Sequence, residues 1–241
     1  MFAAPLSTPV IMAVSDRTRL GAADDESACE RLLQWAGAVA SAGVDLIQIR
    51  ERGLADRRLE MLTREIAGVA RSTSARVVVN DRVDVALATG IAGVHLPSSA
   101  PACARVREIV PAGFLIGRSI HMADLTCLRE RREACDYLLF GTVFRSQSKC
   151  HDHAVAGVAS LAAVCEAAAA PVLAIGGVDI AGAEEAALAG AAGIAAIGLF
   201  ADPVREHNDR AEPVLREIVG SVRQAFERGQ KLRWTQVTDH R

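Results

Sequence analysis

The feature that most constrains this chain is the alternation of its apolar segments. Short β-type runs and longer amphipathic stretches take turns along nearly all of its 241 residues. The strand candidates are Pro9–Asp16, Val44–Arg50, Arg76–Asp81, Gly93–Pro97, Phe114–Ile120, Asp136–Val143, Pro171–Gly177 and Gly193–Phe200. Val77, Val78 and Val79 run without a polar break, as do Leu173, Ala174 and Ile175, a pattern that suits strands buried on both faces of a parallel sheet. Between them, Ser27–Ser41, Asp56–Arg71 and Pro203–Arg228 carry apolar residues three and four apart. In the second, Leu59, Leu62, Ile66 and Val69 form one stripe while Arg57, Arg58, Glu60 and Arg64 face away. Shorter Ala-rich helices are predicted at Val83–Thr89, Ala102–Val110, Ala123–Glu133, Val158–Ala169 and Ala183–Ala189.

Strict β/α alternation requires right-handed crossovers and a parallel sheet. Eight such units at this length predict an α/β fold, a single (β/α)8 TIM barrel. The competing arrangement is an open doubly wound sheet, which the absence of a glycine-rich dinucleotide fingerprint after the first strand weakens. Residues 1–230 are expected to form one domain, followed by a polar, disordered C-terminal tail over 231–241.

Hydrophobic residues make up 51% of the chain and aromatics 4%, so small and β-branched side chains must build the core. A half-apolar chain is not disordered. A net charge of −2 offers no basic footprint for nucleic acid. The longest uncharged apolar run, between Glu185 and Asp202, is shorter than the ~20 residues of a membrane span and is broken by Gly190, Gly193 and Gly198. No Lys or Arg precedes the apolar N-terminal stretch, so no secretory signal is expected. Cys29, Cys103, Cys127, Cys135, Cys150 and Cys165 show no C-x-x-C spacing. They are expected to be reduced, in a cytoplasmic protein, and to form neither a zinc site nor a redox motif. Composition leaves self-association open.

A barrel of this type carries its site at the C-terminal ends of the strands. That rule selects Asp16, Gln48, Arg50, Asn80, Asp81, His95, Ser119, His121, Thr142, Gly176, Gly177 and Gly198. Gly176-Gly177 and Ile197-Gly198 close strands seven and eight, where backbone amides commonly hold phosphate; the bland alternative is two tight turns. Gln48 and Arg50 share a face, and Arg50 offers a donor fork for phosphate or carboxylate. Asp81 suits Mg²⁺ beside substrate phosphates, although it and Asp84 equally suit helix capping. Ser119 and His121 share a face, and His121 is a candidate general acid/base. His95, inside an apolar run, reads as a buried structural residue. Lys149, in the loop Phe144-Arg145-Ser146-Gln147-Ser148-Lys149, is placed to close on an anion. His151 and His153 lack a third metal ligand and read as solvated loop. Phe144 suits either a ring substrate or the core. Trp35 and Trp234 have no evident role.

These residues together form a pattern. Gln48-Ile-Arg-Glu-Arg52, Asn80-Asp-Arg-Val-Asp-Val-Ala86, Gly93-Val-His-Leu96 and Gly117-Arg-Ser-Ile-His121 are followed by Asp136-Tyr-Leu-Leu-Phe-Gly-Thr-Val-Phe144, Ser146-Gln-Ser-Lys149 and Ala174-Ile-Gly-Gly-Val178. In this order they resemble the thiamine phosphate synthase and thiazole tautomerase superfamily. The resemblance implies a (β/α)8 barrel that binds a small-molecule substrate, a hydroxyethylthiazole phosphate. It implies phosphate contacts at Gly176, Gly177, Ile197 and Gly198. It also implies substrate contacts from Gln48, Arg50, Arg52, Asn80, Ser119, Thr142, Ser146, Ser148 and Lys149.

The two branches require different chemistry. By resemblance, the synthase joins hydroxymethylpyrimidine pyrophosphate to the thiazole phosphate and uses Mg²⁺ on two aspartates. Asp81 matches the first; the second falls where this chain has Ala100, which cannot ligate a metal. Arg52 stands for the family's lysine, and Ser146 and Ser148 for its threonines. The tautomerase aromatises a thiazole carboxylate phosphate by proton transfer with no cofactor, and its general acid/base His matches His121. Ala100 and Leu138-Leu-Phe-Gly141 favour the tautomerase, which is the leading expectation. The Asn80–Ala86 segment favours the synthase. A non-catalytic phosphate-binding barrel with a regulatory role is the third reading.

Overall fold

The structure is a computed structural model and describes residues 6–124, 128, 134–145 and 155–238. Eight strands form a closed, all-parallel barrel in chain order: β1 (Val10–Val14), β2 (Leu46–Ile49), β3 (Arg76–Asn80), β4 (Gly93–Leu96), β5 (Leu115–Ile120), β6 (Tyr137–Gly141), β7 (Val172–Ile175) and β8 (Gly193–Ala196). β1 pairs with both β2 and β8, which closes the ring. The helices around it are α1 (Asp25–Ala42), α2 (Asp56–Ala70), α3 (Val83–Thr89), α4 (Cys103–Arg107), α5 (Gly157–Ala167), α6 (Ile180–Leu188), α7 (Gly198–His207) and α8 (Ala211–Thr238). The fold is the predicted (β/α)8 barrel.

Successive strand residues point to opposite faces, so each strand feeds two cores. Val10, Met12, Val14, Leu46, Val78, Leu115, Tyr137, Leu139, Leu173 and Ala195 pack together inside the barrel. The alternate residues, among them Ile11, Ile47, Val77, Val94, Ile116, Leu138 and Ile194, pack under the helices. This two-sided burial explains the unbroken apolar runs. The phase is decided by the inner layer: Gln48 follows Leu46 inward, and Asn80 follows Val78.

Local chemistry sets the helix ends. Asp24 and Ser27 form a capping box at the start of α1. Asp179 caps α6 by accepting from the Gly182 N–H at 2.7 Å. Trp35, fully buried, donates its indole N–H to the Phe200 carbonyl at 3.1 Å and so ties α1 to α7.

The C-terminal third differs from expectation. The helix predicted over Pro203–Arg228 is two helices. Asn208 takes φ +49°, which an α-helix cannot carry, and a 3-10 turn at Asn208–Arg210 separates α7 from α8. Nor does an irregular tail begin at residue 231, because α8 continues to Thr238. Polar side chains dock that extension rather than apolar ones. Arg228 Nε pairs with Glu184 at 2.9 Å. Gly229 lets α8 approach the Glu184 carbonyl of α6, and the Arg233 guanidinium lies over Gly190. Trp234 on the same extension is 75% exposed. The predicted helix at Ala123–Glu133 begins as a 3-10 turn, Met122–Asp124, and most of the rest lies outside the described residues. Among the described residues no helix is long and apolar enough to cross a membrane.

Candidate active site

The inward phase of β2 to β6 gathers a polar cluster at the C-terminal end of the barrel. Gln48, 2% exposed, donates from Nε2 to Asn80 Oδ1 at 3.1 Å. Its own Oε1 is buried and has no hydrogen-bond partner among the described residues. A buried carbonyl left unpaired costs about 1–3 kcal/mol, so this atom marks a place where a donor is wanted.

His95, Gly117 and Tyr137 stand in register on β4, β5 and β6. His95 Nδ1 lies 3.3 Å from the Tyr137 hydroxyl and Nε2 lies 2.9 Å from Ser119 Oγ. The two rings stack with centroids 5.7 Å apart. Burial, and after it the nearby positive charge of Arg50, pushes the His95 imidazole down to about 3. It is therefore neutral, with one ring nitrogen donating and the other accepting. Burial likewise raises the Tyr137 phenol far above its ordinary value, so it stays protonated. This confirms the buried role expected of His95. Tyr137 belongs to this buried cluster, although neither spacing nor composition marked it; its phase with Leu139 on β6 was the available signal.

The neutral His95 makes a pH prediction. Between about pH 3 and the ordinary 6.5, the unfolded chain binds a proton at this position that the folded chain refuses. Stability is therefore lost as pH falls through that window and is unaffected above it. Urea-unfolding midpoints measured from pH 4 to 8 should slope upward and then level. His95→Gln should flatten the slope between pH 4 and 6.5; an unchanged slope in that variant overturns the assignment.

Arg50, half-buried beyond Gln48, reaches over this cluster. Burial, then the like charge of Arg52, lowers its basicity. Its backbone is held by a buried network that sequence reading missed. The Arg50 N–H donates to Ser15 Oγ at 2.9 Å, and Ser15 in turn donates to Glu51 Oε1 at 2.5 Å. Glu51, its side chain 2% exposed, also accepts from the Arg17 backbone and from Arg17 Nη1 at 3.2 Å. Arg17 Nη1 donates onward to the Arg52 carbonyl at 3.2 Å. One buried carboxylate thus anchors the backbone of both arginines, joining residues more than 30 positions apart that no local pattern links.

Two glycine sites lie across the mouth. Gly176 and Gly177 have φ of +96° and +66°. A Cβ on Gly177 would collide with the Phe144 and Arg145 carbonyls, so only glycine brings this backbone to the mouth. Thr142 packs its methyl against Gly176. Ile197 faces the barrel interior and Gly198 opens α7, a helix N-terminus suited to an anion. Arg19, held by Asp202 at 3.0 Å, brings a guanidinium to within 3.2 Å of where a Gly198 side chain would begin. Asp202 is 183 residues away in the chain, which hides this cation from sequence reading.

The remaining candidates fall as follows. Asp81 follows β3, exposed, with φ +67°, and its N–H donates to the His95 carbonyl at 2.8 Å. Asp84 stands in the first turn of α3, as expected, where Arg82 also grips it at 2.6 and 2.9 Å and lowers its pKa. Asp16 accepts from Thr18 and caps the turn after β1. His121 is exposed at the end of β5, with its N–H donating to Asp124 Oδ2 at 2.7 Å. Phe144 packs into the core against Gly182 of α6, not over the mouth. Ser146, Ser148, Lys149, Cys150, His151 and His153 lie outside the described residues.

The comparisons with known proteins decide the family. A family model described as thiamine monophosphate synthase matches residues 22–200. The chain belongs to that family. Two relatives carry the same activity in their names. The thiamine-phosphate synthase of Caldanaerobacter subterraneus is 32% identical over 221 residues, covering 91% of this chain and 96% of the relative. That of Methanoculleus marisnigri is 36% identical over 158 residues, covering 66% and 74%. Among solved structures, the thiamine phosphate pyrophosphorylase of Pyrococcus furiosus matches with a TM-score of 0.69 at 26% identity, covering 91% of this chain and 96% of that one. The chain is thus an enzyme of the thiamine phosphate synthase family. Neither the family model nor these relatives carry the tautomerase name, so the leading expectation from sequence loses its precedence to the transferase.

Proposed function

We propose that this chain joins a hydroxymethylpyrimidine diphosphate to a hydroxyethylthiazole phosphate and releases pyrophosphate. The unpaired Gln48 carbonyl carries this reading. An aminopyrimidine brings an N–H donor that pairs with Oε1, while Asn80 beside it supplies a second polar contact. A thiazole carboxylate phosphate has no ring N–H to offer. The thiazole phosphate would sit with its phosphate on the amides of Gly177 and Gly198. Its ring nitrogen attacks the pyrimidine methylene carbon, a C–N bond forms, and the C–O bond to the diphosphate breaks. Arg50 and Arg52 face the charge that develops on the departing diphosphate. The pair of sites holds both substrates in one orientation, which converts the encounter into a near-unimolecular step.

The residues present offer the Mg²⁺ implied by the resemblance one carboxylate rather than two, beside the diphosphate oxygens of the substrate. Asp81 stands without the second carboxylate, because its counterpart is Ala100. The Ala100 carbonyl accepts from the Arg118 guanidinium at 3.2 Å, as does Ser98 at 2.8 Å. Asp56 and Asp84 are paired with Arg82. Among the described residues no three His, Cys, Asp or Glu side chains gather in a metal-binding group.

That same substitution favours a second reading, proton transfer on a thiazole carboxylate phosphate with His121 as the acid/base. One preparation assayed both ways separates the two. Pyrophosphate release that requires both substrates is the expected result. No release with or without added Mg²⁺, together with aromatisation that disappears in His121→Ala, would replace the first reading by the second.

A further inference from the structure

Cys103 opens α4 and Cys135 lies two residues before β6, yet their side chains meet beneath the surface. They are 1% and 6% exposed. Their sulfurs are 2.8 Å apart, closer than two unbonded sulfurs pack and a short movement from a bond of about 2.05 Å. The approach is braced from both sides. Arg107, at the end of α4, pairs with Asp136 at 2.7 Å, immediately beside Cys135. Asp136 also accepts from the Ile116 N–H at 2.7 Å, and Arg107 Nη1 donates to the Phe114 carbonyl at 2.5 Å. The two thiols therefore lie face to face between groups that tie α4 to the entry of β6.

We propose that Cys103 and Cys135 are a site of covalent modification, joined as a disulfide by a peroxide. This inference is independent of the reaction at the barrel mouth. Burial keeps out a large disulfide such as oxidised glutathione and admits a small oxidant. One thiol sulfur attacks the peroxide O–O bond, becoming a sulfenic acid as one water leaves. The partner sulfur then attacks the sulfenic sulfur, the S–S bond forms, and the hydroxyl departs as a second water. Two thiols are oxidised by two electrons, and one hydrogen peroxide is reduced to two waters. The new bond would tie α4 to the entry of β6 and enclose β5, the strand that carries Ser119 and leads into His121.

The full chain, treated with a small excess of hydrogen peroxide, quenched, denatured and titrated for thiols, should show two fewer than its six cysteines. Peptide mapping without reductant should find the Cys103 and Cys135 peptides linked, and dithiothreitol should restore both thiols. Cys103→Ala should lose none under the same dose. Six thiols after treatment, a link between any other pair, a loss that dithiothreitol does not reverse, or an equal loss in Cys103→Ala overturns the proposal.

Discussion

Gln48→Leu should lower kcat/KM for the pyrimidine diphosphate by roughly 10²-fold and leave thiazole phosphate binding unchanged. The magnitude follows from the site's geometry. A substrate donor that meets a buried carbonyl relieves an unpaired acceptor as well as making a bond, and such pairs are worth about 1–3 kcal/mol each. Leucine removes the carbonyl and also the donor to Asn80 Oδ1, so two substrate-facing groups change together. Stability should move little, because the amide is replaced by an apolar group of similar size beside Val78 and Leu46, both in the barrel interior. Steady-state kinetics with each substrate varied in turn, beside calorimetric titration of the thiazole phosphate, would check this. An equal loss for both substrates would mean that Gln48 supports the whole mouth. No loss at all would mean that its carbonyl never meets the pyrimidine.

Gly117→Ala should cost about 3 kcal/mol and lower Tm by roughly 6–12 °C. The first Cβ atom at this position would fall within the Tyr137 ring. Gly117 sits between His95 and Tyr137 in the same row of the barrel, and its missing side chain is what allows the two rings to stack. The tyrosine cannot retreat, because it is fully buried among Leu115, Leu139 and the other inner residues. The added methyl must therefore shift the sheet or break the contact with His95. Shortening Tyr137 should recover part of the loss, so Gly117→Ala/Tyr137→Leu should be more stable than the sum of the single variants predicts. A single variant melting within about 2 °C of the parent would show that the ring has another place to go.

The chain's composition, poor in rings, acquires a specific meaning at this point. Its one tyrosine lies in the barrel interior, within hydrogen-bonding reach of the buried His95. Most of the other inner residues are aliphatic, and two of the inner positions at the mouth are amides. Recognition at the mouth therefore falls to hydrogen bonds, guanidinium groups and backbone amides.

Much of this was legible from residue order. Alternating apolar runs require a parallel sheet covered by helices, and Gly176-Gly177 announces a tight turn at the end of strand seven, which the structure shows as two residues of positive φ. The alternation of Gln48 and Arg50 placed both on one face, and the structure turns that face inward. The long-range pairings were not legible. Ser15 and Arg17 meet Glu51 across β1 and β2, Arg19 meets Asp202 from the opposite end of the chain, and Cys103 meets Cys135 across β5. None of these has a spacing signal, because each joins separate βα units. Residues 231–235 are as polar and exposed as the sequence suggests but continue the helix, which Arg228 and Gly229 dock on α6 just before them and Arg233 lays over Gly190.

The sequence by itself determined the eightfold alternation, the parallel sheet it requires and which strand residues share a face, since periodicity is a local property. Only the tertiary structure decided the rest: that His95 is neutral, that Gln48 keeps an unpaired carbonyl, and that Arg82 joins Asp84 to Asp56. Burial and pairing depend on which strands and helices become neighbours, and barrel closure makes those neighbours from residues that lie far apart along the chain.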